Sequence, residues 1–143
     1  MQCISGSKYG RCFFISLDRG EDVLISLRKL IAENSIRNAV LVSGIGTLES
    51  CVTHYVSTTG REPVDVFAPL ENRPLELDSI QGIIADGVPH FHMVVSEGDR
   101  TYAGHMEEGC RVLYLFEAVI LEVEDVALTR RVKEYGIKRL EVK

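Results

Sequence analysis

The sequence predicts a single α+β domain: one amphipathic helix set among many strands. Three observations carry this. The chain has 143 residues, the length of one domain able to bury its own core. Only one stretch repeats apolar residues at helical spacing. The other apolar segments are short, rich in β-branched and aromatic residues, and punctuated by tight-turn signals. No internal repeat, low-complexity segment or domain boundary interrupts residues 1–143, so they read as one unit.

Arg11–Leu17 (RCFFISL) is the first predicted strand. Asp18 and Glu21 then have capping-box spacing, and acids suit the positive end of a helix. The helix is expected over about 20–34, with Val23, Leu24, Leu27, Leu30 and Ile31 on one stripe and Asn34 or Ser35 ending it. Ala39–Val42 is a continuous apolar run, read as a strand covered on both faces. It leads into Ser43-Gly44-Ile45-Gly46. This stretch is a turn or bulge, or a ligand-facing loop, but it lacks the third glycine of a dinucleotide fingerprint. Cys51–Val56 is a further strand carrying His54, a lone histidine read as a hydrogen-bonded or partly exposed residue. Residues 58–73, with Gly60, Pro63 and Pro69, read as a mobile loop or oligomer contact holding at most a short strand near Val64–Phe67. Leu75–Ala85, with a bulge at Gly82, turns through Asp86-Gly87 into a hairpin partner at 90–96. Thr101–Met106 adds another strand. Cys110–Leu121 is almost wholly apolar and is expected to be a central strand buried on both faces. Residues 126–143 fit either a short helix ending at Gly136 or a hairpin.

The chemistry is concentrated in Pro89-His90-Phe91-His92-Met93 and Tyr102-Ala103-Gly104-His105. Three of the four histidines fall within these sixteen residues. On a strand, His90 and His92 project to one face and Phe91 and Met93 to the other. The short connection Glu97-Gly98-Asp99-Arg100 suits a turn between antiparallel strands, which would bring His105 beside the pair. Three neutral imidazoles with a fourth position open suit zinc or a similar divalent transition metal. Such an ion polarises a carbonyl and acidifies water, so a lyase or hydrolase acting on a small carbonyl or carboxylate compound is an open option. Cys110 is the residue that would close the site instead. Glu117 is the candidate for proton transfer, standing in an apolar strand where a lone carboxylate is costly. Three roles are open to it: hydrogen-bonding a ligand histidine, acting as general base, or pairing with an arginine such as Arg111 or Arg73.

Composition narrows the class. The net charge is −5, which argues against a dedicated nucleic-acid binder. The charge is uneven, however. Residues 127–143 hold six Lys and Arg against two Glu, or +4, leaving −9 for the rest. The basic end could meet an acidic partner, nucleic acid included, or be a solvated surface. Cys3, Cys12, Cys51 and Cys110 show no C-x-x-C spacing, and no leader or membrane-spanning run is evident. Four free thiols, mostly buried, in a reducing cytoplasm are expected.

The order of these pieces is familiar. A strand and a G-E-D helix start precede A-V-L-V-S-G-I-G-T-L at 39–48 and L-E-L-D-S-I-Q-G-I-I at 75–84. P-H-F-H-M at 89–93, Y-A-G-H-M at 102–106 and F-E-A-V-I at 116–120 follow. Over about residues 8–122 the chain resembles the plants-and-prokaryotes-conserved domain, which in plants follows AT-hook motifs in nuclear proteins. The resemblance implies a mixed, largely antiparallel sheet with one main helix, assembled as a homotrimer. It implies metal ligation by His90, His92 and His105, and favours a C-terminal hairpin over about 126–143. No AT-hook is present: Arg19-Gly20 is followed by Glu21, so minor-groove reading by such an arm does not carry over. The three-histidine arrangement is also similar to the zinc site of acetolactate decarboxylase, an analogy of fold and ligands.

Overall fold

The computed structural model describes residues 1–143. Strand β1 (Tyr9–Asp18) leads into helix α1 (Val23–Glu33). Then come β2 (Ala39–Val56), β3 (Asp65–Ala85), β4 (Val88–Glu97), β5 (Arg100–Met106) and β6 (Arg111–Val123), followed by β7 (Leu128–Val132) and β8 (Lys138–Val142). The first six strands form one sheet in the order β1-β6-β2-β3-β4-β5, and β7 pairs with β8 alone. Every pairing is antiparallel. The far end of β2 also pairs with β5, through Thr53–Met106 and His54–His105. Strands β2, β3, β4 and β5 therefore close into a ring, with β6 and β1 as a flap on one side.

Helix α1 buries Val23, Leu24, Leu27 and Ile31 against the inner face of the sheet, as its apolar stripe requires. Its cap differs from the expected one. Asp22 Oδ1 accepts from the Ile25 N–H at 3.0 Å, and its other oxygen accepts from the Gly109 N–H at 2.7 Å. Glu21 instead accepts from the Asp18 N–H in the preceding turn. A side-chain cap of this kind is worth about 1 kcal/mol. The core facing the helix includes Leu41, Leu48, Leu77, Ile80, Phe91, Met93, Val95 and Phe116, all but excluded from solvent.

Several sequence expectations need correction. Residues 58–73 are not mainly a loop: β3 begins at Asp65 and pairs with β2 as far as Ile84. Pro69 is tolerated there because β3 joins β4 only from Glu76 onward, leaving an edge that needs no N–H. The irregularities in β3 lie between Leu77 and Ser79 against β4 and between Glu71 and Leu75 against β2, not at Gly82. The Ser43–Gly46 stretch lies within β2 and is neither a loop nor a turn, but the bulge alternative holds: its register against β6 shifts on both sides, between Leu41 and Ser43 and between Gly46 and Leu48. A Cβ at Gly46 would stand 2.5 Å from the Leu115 carbonyl oxygen, so glycine there permits close approach of β6. Strand β6 is not covered on both faces. Phe116, Ala118 and Ile120 point inward, while Leu115 and Glu117 are exposed. Two of the four thiols, Cys51 and Cys110, are buried; Cys3 and Cys12 are exposed and all four are free.

The C-terminal segment is a hairpin, turned by Glu134–Gly136 with Tyr135 at φ 58°. It is fastened to the sheet at three places. Asn38 Oδ1 accepts from the Leu128 N–H at 2.9 Å. Arg130 donates to the carbonyls of Ile83 and Val88, each at 3.0 Å. Lys143 Nζ reaches both Asp86 oxygens at 3.0–3.1 Å. No helix is long and apolar enough to cross a membrane.

Candidate metal centre

The two-residue turn after Glu97 sets β5 against β4 so that His92 and His105 are direct partners. On β4, Phe91, Met93 and Val95 enter the core, which leaves His90 and His92 on the outer face. The ring centroids lie 5.3 Å apart for His90–His92, 5.0 Å for His90–His105 and 5.6 Å for His92–His105. Three imidazoles held tetrahedrally at metal–nitrogen distances of ~2.0–2.1 Å would keep their centroids about 5 Å apart. The observed triangle has that size before any ion is considered.

The structure adds two residues to this group. His54, opposite His105 across β2 and β5, has its ring centroid 5.6 Å from that of His105. It stacks on Phe67 at 4.7 Å. Glu107 Oε1 stands 3.2 Å from Nδ1 of His54 and 3.2 Å from Nδ1 of His105. The His54 contact is a hydrogen bond. The His105 contact is out of line, and His105 Nδ1 is a buried polar atom with no hydrogen-bond partner. His54 Nε2 reaches Asp65 Oδ1 at 3.0 Å. A row of alternating acid and imidazole thus runs Asp65, His54, Glu107, His105. One ligand atom each from His54, His105 and Glu107 also lies within 4.8 Å of the others. His105 belongs to both groupings.

Electrostatics favour the neutral form at two of the three rings, His90 and His105. Desolvation in the cleft, reinforced by His105, Arg130 and His92, pushes His90 down to about 4. Burial likewise lowers His105, against the pull of Glu107. His54 moves the other way, raised by its hydrogen bond to Asp65. Uncharged imidazoles keep the lone pair a transition metal needs. The residues present fit such an ion: a triangle of the right size, with the neutral form favoured at His90 and His105.

Glu117 stands apart from this cluster. It shares the outer face, but β2 and β3 separate β6 from β4, roughly 14 Å at ~4.8 Å per strand. It lies opposite Ser16 and Ile45 and lines a separate cleft of about 400 Å³ with Phe14, Ser43 and Val119. No ion pair joins it to Arg111 or Arg73; Arg73 pairs with Glu97. Cys110 is also elsewhere, its thiol directed at the Glu107 carbonyl at 3.2 Å and pushed up by burial to about 12. Two clefts do reach the histidines. One of about 610 Å³ is lined by His90, His92, Gln81, Arg130 and Lys138. The other, of about 450 Å³, is lined by His54, His90, His105, Glu107, Arg130 and Lys138 among others.

Sequence reasoning missed Glu107, Arg130 and Lys138, and set His54 aside. For Glu107 a signal existed: His105-Met106-Glu107 has the same alternation as His90-Phe91-His92. For His54 none did, because its neighbours come from strands about fifty residues away.

Residues 4–124 match the Plants and Prokaryotes Conserved (PCC) domain, and the chain belongs to that family. A metal-containing protein from Archaeoglobus fulgidus shares 24% identity, covering 95% of each chain, with a TM-score of 0.79. A candidate DNA-binding protein from Bacteroides thetaiotaomicron shares 17% identity over 96% of each chain, with a TM-score of 0.80. The fold extends, more distantly, to α-acetolactate decarboxylase from Bacillus subtilis. There the identity is 15%, covering 78% of this chain and 52% of that one, with a TM-score of 0.53. The bifunctional protein GlmU of a Synechococcus strain is 21% identical over 113 residues. This chain spans only 17% of its length.

Proposed function

We propose that this protein binds one divalent transition ion, zinc or similar, through His90, His92 and His105, and that it works as a cytoplasmic homotrimer. The observation that carries the ligand set is the triangle of three imidazoles on paired strands, 5.0–5.6 Å between centroids. Glu107 stands behind His105 as the carboxylate that orients a ligand imidazole. The metal-containing relative from Archaeoglobus supports the reading as a member of the same fold. When bound, the ion would supply Lewis acidity beside an open cleft. The trimer draws support from the apolar outer face on β1, β2 and β6. Phe14 is 84% exposed, Val42 54%, Ile45 52% and Leu115 47%, a patch of the kind that marks association.

Elemental analysis of the purified protein beside His92→Ala tests the site. The expected result is one equivalent of metal in the first and little in the second; equal content in both would refute the ligand set. Light scattering during gel filtration tests the trimer, for which a monomeric mass would be the contrary result.

A second reading, DNA association, rests on the relative described as a candidate DNA-binding protein and on the basic hairpin. Half of the hairpin's six cations are already paired with carboxylates: Arg131 and Lys133 share Glu141, and Lys143 shares Asp86 with Arg37. That weakens the basic stripe such binding needs.

A further inference from the structure

The three remaining hairpin cations are Arg130, Lys138 and Arg139, and none has a carboxylate within 4 Å. Arg130 and Lys138 line both clefts that reach the histidines. In the larger cleft they stand beside His90, His92 and Gln81 with no acid among the lining residues. In the smaller one the acids are Asp65 and Glu107, and both are drawn onto His54.

Arg130 is half-buried. Its Nη1 and Nη2 donate to the Val88 and Ile83 carbonyls, which fixes the guanidinium plane without neutralising its charge. Burial alone lowers its pKa, with no acid opposing. A guanidinium has five N–H donors, so three remain for another acceptor. An uncompensated, partly desolvated cation is unfavourable for folding. Pinning the hairpin needs only a neutral donor, and Lys138 pins nothing by an ion pair. Two unpaired cations lining one cleft that has no acid in its walls favour an incoming negative charge. A cleft of about 610 Å³ suits a small molecule.

We infer that Arg130 and Lys138 form an anion subsite next to the three histidines, taking a small oxyanion, carboxylate or phosphate, presented to the metal cleft. Arg130 holds the anion in a planar fork and Lys138 supplies a second, mobile charge. The inference rests on the metal reading for its use but not for its test.

The test is calorimetric titration of the zinc-loaded and the chelator-stripped protein with pyruvate and, separately, inorganic phosphate. The variants are Arg130→Gln, Lys138→Gln and the double, with metal content measured in parallel. The expected result is at least tenfold weaker anion binding in Arg130→Gln, a smaller loss in Lys138→Gln, and unchanged zinc content in both. Preference for pyruvate or phosphate then names the anion. Lys138 is exposed, so that variant reads out the subsite even if Arg130→Gln loosens the hairpin. Three outcomes would overturn the inference. One is anion binding unchanged in the double variant. Another is binding that vanishes on removal of zinc alone. The third is no small-anion binding together with capture of a short DNA duplex through the same two residues. If the wild type holds no zinc, the stripped-protein titrations still decide the subsite while the metal reading fails.

Discussion

Gly82→Ala perturbs the histidine strand through the backbone alone. Gly82 faces Phe91 across β3 and β4, between the partners of His90 and His92. A Cβ there would lie 2.0 Å from the His90 carbonyl oxygen, 3.0 Å from its carbon and 2.8 Å from Phe91 Cδ1. The first obstacle is backbone, so no side-chain rotation relieves it; β4 must move by an ångström or so at His90. Overpacking of this kind costs about 1–3 kcal/mol. At ~2.1 cal/mol/K per residue, 143 residues give an unfolding entropy of ~300 cal/mol/K. The melting temperature should therefore fall by roughly 3–10 °C. Because His90 moves relative to His92 and His105, metal affinity should fall at least tenfold as well. Thermal melts followed by circular dichroism in chelator give the first quantity, and competition against a chromophoric chelator gives the second. A melting temperature within 1 °C of wild type, with unchanged metal affinity, would refute both the packing argument and the placement of His90 in the site.

Glu107→Gln keeps the shape but removes the charge facing His54 and His105; a 10–100-fold loss of metal affinity is expected, with little change in the chelator-stripped melt. Arg11→Ala removes the fork onto Glu122, at 2.7 and 2.8 Å, and the bond to the Asn34 carbonyl. It leaves a carboxylate whose side chain is only 13% exposed without its cation, and a cost of about 1–3 kcal/mol should appear in denaturant unfolding. Asp86 is held below its ordinary 3.8 by Lys143 and Arg37. Its depressed folded value makes the contribution full above the unfolded value and lost as pH falls through the folded one. The melting-temperature gap between wild type and Asp86→Asn should be full at pH 7 and shrink as pH falls below the ordinary 3.8; a gap independent of pH would count against the pairing.

What could be read from the sequence was local. The stripe of α1, the Asp86-Gly87 turn and the H-x-H alternation of β4 each follow from spacing within about ten residues. The turn at Gly98-Asp99 was enough to bring His105 to His92. Register between distant strands was not legible, and that is where the reading failed. His54 joins the cluster because β2 bends far enough to meet β5, which no local pattern encodes. Glu117 was misplaced for a different reason. Strand β6 is apolar on its outer face as well as its inner one, so composition could not distinguish a buried strand from one with a sticky exposed side. The start of β3 was hidden by Pro69, because an edge that needs no N–H tolerates a residue that looks like loop, while Gly60 and Pro63 lie in the connection before Asp65.

The ring of β2, β3, β4 and β5 has a consequence for how an ion would come and go. His90, His92 and His105 sit on strands hydrogen-bonded to neighbours on both sides, over a core that includes Phe91, Met93 and Val95. In zinc-finger modules the ion is the fold, and a chelator unravels the chain. Here the rings are set in place by the sheet, so the ordering of the ligands is complete before any ion arrives. Occupancy can then follow the local supply of metal, with the protein intact in either state.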